Sequence, residues 1–129
     1  MLYTIKSVRP IAEIQRGLED SAARQRFGIL AVHNLRETMK RKGVQFGTDC
    51  WIYEVCNPVQ AKKVLEANGA VSTALPCRIS VYGNEGSYTL ATLLPTAVMQ
   101  IFGSAELASV AQEVETVIKA MMQDAAGAS

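Results

Sequence analysis

The chain has 129 residues, of which 49% are apolar and 19% charged, with 13 basic and 12 acidic side chains giving a formal net charge of +1. That length suits a single domain able to bury a core without disulfides or metal, and the composition excludes disorder. No apolar run approaches the ~18 residues of a membrane span, and the near-neutral balance argues against a dedicated nucleic-acid domain.

Charge is unevenly divided. Residues 1–64 carry eleven Lys and Arg against six Asp and Glu, whereas residues 65–129 carry two against six. The two halves are therefore expected to pack against one another, within or between subunits. The opening Met1-Leu2-Tyr3-Thr4-Ile5-Lys6 alternates like a strand and lacks the basic and apolar regions of a secretory signal, which predicts a cytoplasmic protein. Three cysteines, an odd number with no export signal, predict free thiols.

After the first strand, Pro10 suits a first helical position, and Ile11, Ile14, Leu18 and Ala22 mark one face of a helix ending about Arg24. Phe27 to Val32 is a short apolar strand that His33 ends. Asn34 reads as a helix N-cap with Glu37 completing a capping box, and Gly43 closes that helix. Trp51 to Cys56 is an aromatic and β-branched strand, with Trp51, Tyr53 and Val55 on one face and Ile52, Glu54 and Cys56 on the other. The aromatic face predicts core or dimer contact. Asn57 caps the next helix with Pro58 at its first position, and the helix stops near Asn68-Gly69. Ile79 to Tyr82 and Tyr88 to Leu93 form a hairpin around Gly83-Asn84-Glu85-Gly86. Pro95 opens a short helical segment, and Leu107, Val110, Ala111, Val114, Val117, Ile118 and Met121 draw the stripe of a long helix. Residues 124–129 are expected to fray. The order is βαβαβαββα in one α+β domain spanning 1–129, with a mixed, mainly antiparallel sheet covered by helices.

At these residues the chain resembles the bacterial and archaeal family called domain of unknown function 302. The matching elements are Phe27-Gly28-Ile29-Leu30 running into Val32-His33-Asn34-Leu35, then Lys42-Gly43-Val44, the Tyr53-to-Pro58 segment with Ala61, and Leu75-Pro76-Cys77-Arg78 leading to Val81-Tyr82. The resemblance covers about the first hundred residues. Cys50 stands outside its pattern, and the C-terminal helix shares only amphipathic character. The resemblance implies a small α+β domain, a homodimer, and no assigned biochemical role.

Two junctions carry the candidate chemistry. Cys56 and His33 each end a strand ahead of an Asn cap, and Cys77 opens the strand after Pro76. A thiol beside a helix N-terminus is expected to favour thiolate. If the strands ending at His33 and Cys56 lie side by side and run the same way, both side chains emerge together, and Cys77 joins them from an antiparallel neighbour. His33, Cys56 and Cys77 would then suit zinc or another transition metal, or a small ligand. Alternatively Cys56 acts as a nucleophile or sulfur carrier with Glu54 as proton acceptor and Cys77 as its partner. A third reading makes both cysteines core in a structural or interaction protein. Arg36, Lys40, Arg41 and Lys42 read as solvated cations of a last helical turn, so nucleic acid is not an expected partner.

Overall fold

The computed structural model describes residues 1–127. In it β1 (Leu2–Ser7) leads to α1 (Ile11–Arg24), β2 (Gly28–Asn34), α2 (Leu35–Arg41), β3 (Asp49–Cys56) and α3 (Pro58–Ala67). A 3-10 turn over Gly69–Ala74 precedes β4 (Cys77–Asn84), β5 (Ser87–Leu93), α4 (Pro95–Met99), a second 3-10 turn over Gln100–Phe102, and α5 (Ala105–Ala126). The caps form as their residue types require. Asn34 Oδ1 accepts the Glu37 N–H at 3.1 Å, and Asn57 Oδ1 accepts those of Val59 and Gln60 at 3.0 and 3.1 Å. Gly83 in the hairpin has φ +132°, and a Cβ there would collide with the Ser87 carbonyl, so this turn needs glycine.

The sheet order is β1-β5-β4-β3-β2 and all four pairings are antiparallel. The expected mixed sheet thus has no parallel pair among the described residues. The reason lies in α2. It buries none of its residues, and its Arg36 bonds Asp49 at the start of β3, so the connection reverses the chain at one end of the sheet. A parallel pair would need the connection to cross a face.

Alternation then sorts the strands into two faces. Tyr53, Val55, Ile79, Val81, Tyr88 and Leu90 pack against Ile14 and Leu18 of α1 and Ile118, Met121 and Met122 of α5. Trp51 packs on the same cluster, in line with the core face expected for the β3 aromatics. A second cluster joins Val64 of α3 and Val71 to Met99 of α4 and Leu107, Val110 and Ala111 of α5. The opposite sheet face presents Thr4, Lys6, Arg78 and Tyr82 to solvent.

The helix runs on past Asp124, where fraying was expected. Ala125 and Ala126 are buried, Ser7 Oγ donates to the Ala126 carbonyl at 2.8 Å, and Arg9 donates to the Asp124 carbonyl at 3.2 Å. Ser21 and Arg24 hold the Asp124 carboxylate at 2.8 and 3.2 Å. The last carbonyls of α5 find side-chain donors, which a fraying end lacks. These contacts also join the basic first half to the acidic second. Residues 128–129 of the expected tail lie outside the described residues.

One polar anchor is testable by pH. Tyr88 has a buried ring whose hydroxyl donates to Asp49 Oδ2 at 2.6 Å, and Arg36 reaches Oδ1 at 2.9 Å. The Tyr88 hydrogen bond, more than the Arg36 charge, holds the Asp49 carboxyl below its ordinary value of 3.8. A carboxyl held low stabilises the fold above its ordinary pKa and loses that contribution as pH falls through its own lowered value. Tyr88→Phe is expected to cost about 1.5–3 kcal/mol at pH 7, the range for hydrogen bonds to charged groups. Urea unfolding at pH 7 and again well below 3.8 checks this. The gap between variant and wild type should shrink in acid, and an undiminished gap would remove Asp49 from the explanation.

Candidate functional site

Cys56 is the last residue of β3, held against Gly28 of β2, and Asn57 immediately turns the chain into α3. The β3–β4 register places Val55 opposite Cys77, so the first residue of β4 sits beside the end of β3. Both cysteines line one apolar cavity of about 40 Å³ between these strand ends and helices α3, α4 and α5. Gln60, Val64, Leu75 and Met99 share the lining. Gln60 Nε2 donates to Glu113 Oε2 at 2.7 Å, and its Oε1 is buried with no hydrogen-bond partner among the described residues. All three cysteines are unpaired as disulfides.

The thiols do not behave as the helix terminus alone suggests. Burial pushes Cys56 up from the ordinary thiol value, opposite to the lowering expected beside a helix N-terminus. The Val59 and Gln60 N–H groups at that helix start are in any case taken by the Asn57 side chain. Cys77 is pushed up to about 11, first by burial and then by the neighbouring Cys56. Cys50 is also raised, by burial. At neutral pH Cys56 and Cys77 are therefore protonated, and the cavity contains two neutral soft sulfurs.

His33 does not join them. Because β2 and β3 are antiparallel, His33 pairs with Ile52 while Cys56 pairs with Gly28, so the two strand-end side chains sit at opposite ends of the shared ladder. The arrangement expected to bring them together required parallel strands. His33 Nε2 instead lies 3.3 Å from Glu54 Oε1, which Arg78 Nη2 also approaches at 3.6 Å. The Glu54 carboxylate is thus committed to a His–Glu–Arg cluster around the outer sheet face, with His33 and Arg78 exposed. Among the described residues no three of His, Cys, Asp and Glu are arranged to share a metal ion. The three residues His33, Cys56 and Cys77 are not gathered at one point, whereas Cys56 and Cys77 line the same cavity. Two cavity residues escaped the sequence reading. Gln60 and Met99 carry no motif or spacing that marks them as site residues.

The sequence profile of the family described as Domain of unknown function DUF302 matches residues 3–125. The chain belongs to the DUF302 family. Its fold is similar to the crystal structure of an uncharacterized conserved DUF302 protein from Bacillus stearothermophilus. That match has a TM-score of 0.89 and 30% identity, and it covers 96% of this chain and 97% of the other. No curated protein matched. The DUF302 match extends well beyond the first hundred residues, so α5 belongs to the family pattern through Ala125. No helix of this DUF302 chain is long and apolar enough to cross a membrane among the described residues.

Proposed function

We propose that this DUF302 protein is a binding module that holds a very small ligand in the cavity shared by Cys56 and Cys77. The observation carrying the reading is the convergence of two thiols from separate strands on one apolar space of about 40 Å³. That volume suits an occupant of one or a few heavy atoms, since an engineered apolar cavity large enough for benzene measures about 150 Å³. Binding is favoured over the thiol-enzyme and sulfur-relay readings because both thiols are driven towards the protonated, unreactive form. Xenon is the matching probe, being a single polarizable atom. Under xenon pressure, N-ethylmaleimide labelling of Cys56 and Cys77 is expected to slow while Cys50 labels at its original rate. Unchanged rates at all three cysteines would overturn the reading.

The module acts as a homodimer in this account, with a second copy covering the open sheet face. Support comes from the helices packing on one face only, which leaves Leu2, Leu93 and Tyr82 60%, 56% and 41% exposed on the other. Light scattering should give twice the 14.0 kDa chain mass, and Leu93→Glu should return the monomer. A wild-type protein that runs as a monomer at high concentration removes the dimer.

A further inference from the structure

The chemistry of the cavity wall narrows the occupant further. Three sulfur-bearing residues from three elements line it, namely Cys56 at the end of β3, Cys77 at the start of β4 and Met99 of α4. Met99 is 7% exposed and is packed in the core cluster that also holds Val64 and Ala111. No third His, Cys, Asp or Glu is placed to complete a set with the two thiols among the described residues. We propose that the cavity binds a soft monovalent cation, Cu(I), through the thiolates of Cys56 and Cys77 with the Met99 thioether as the third donor.

Four considerations converge. Thiolate and thioether are the donors that select Cu(I), whereas structural zinc takes four ligands that this wall does not supply. A space of about 40 Å³ is on the scale of a single ion with at most a few small companions. Binding displaces the two thiol protons to solvent and forms two Cu–S bonds with no change in oxidation state, so no oxidant or reductant is consumed. The resulting anionic pair of thiolates around the ion sits beside the N-terminus of α3, whose ten residues put a partial positive charge there. The protonated state of the unfilled thiols is no obstacle, because a coordinated thiol is deprotonated by the metal itself. In the metal-free protein these same residues serve as apolar wall, which explains why Met99 reads as core.

This inference rests on the cavity being the binding site, and the test separates the two. The reduced protein is titrated anaerobically with Cu(I) against the competing chelator bicinchoninate. One Cu(I) per chain is expected, with Zn(II) lost on simple gel filtration. Cys56→Ser and Cys77→Ser should weaken retention by more than about 100-fold, beyond the 10–100-fold range that even supporting residues command. Cys77→Ala serves as the second variant if the buried serine hydroxyl lowers folding. Met99→Leu conserves volume, so it should leave the melting temperature in place yet weaken Cu(I) about tenfold. Cys50→Ser should match wild type. Cu(I) retention that is unchanged in all the cavity variants, or no retention against the chelator, overturns the metal site. If Cu(I) fails while xenon still enters, the metal inference falls and the small-ligand reading stands. If xenon is excluded as well, both fall.

Discussion

Replacing Ile79 with Ala is expected to remove about 4 kcal/mol of stability, near the upper end for deleting a fully buried aliphatic side chain. Ile79 is 0% exposed, sits on the central strand opposite Tyr53, and belongs to the core cluster that α1 and α5 cover. Against a total stability of about 5–15 kcal/mol, such a loss leaves the domain marginal or unfolded at 37 °C. Because Ile79 is two residues from Cys77 on the same face of β4, the cavity should fail with the strand. Urea denaturation measures the effect directly. A cost under about 1 kcal/mol would mean that the sheet and the helical layer are not packed as described.

The second large effect is functional. Ala111 lines the cavity from α5 and is 3% exposed. Ala111→Phe should fill the space, abolish xenon protection of Cys56 and Cys77, and block Cu(I) uptake without touching either thiol. The ring exceeds the space available, so a melting-temperature decrease equivalent to about 1–3 kcal/mol of overpacking is expected with it. Ala111→Val gives the opposite sign of stability change. At about 24 cal/mol per Å³, filling a 40 Å³ void contributes at most about 1 kcal/mol. If Ala111→Phe retains full xenon protection, the probe enters elsewhere and the cavity is not the site.

Much of the fold was legible because local signals decide it. Asn34 and Asn57 announce their helices through capping chemistry that needs no tertiary partner, and Gly83 and Gly86 announce the hairpin through backbone conformations that other residues avoid. The stripe from Leu107 to Met121 specified α5 through periodicity alone. What periodicity could not give was strand direction, and that decided the site. His33 and Cys56 are equivalent in the sequence, each a strand end before an Asn cap, yet antiparallel pairing separates them and puts His33 with Glu54 and Arg78. The extension of order past Asp124 was equally hidden. It depends on Ser7, Arg9, Ser21 and Arg24, more than a hundred positions away for most of them, reaching the end of α5. The lowering expected for the Cys56 thiol failed because burial at the end of β3, which the sequence alone does not show, pushes the thiol up instead.

The central claim is that the space between Cys56 and Cys77 is where this DUF302 protein takes its ligand. A crystal of the reduced protein pressurised with xenon tests it most directly, with an Ala111→Phe crystal beside it. The account predicts a xenon atom among Cys56, Cys77, Val64 and Met99 in the first and none there in the second. Xenon absent from that space in both crystals, or present only at other positions, would contradict it.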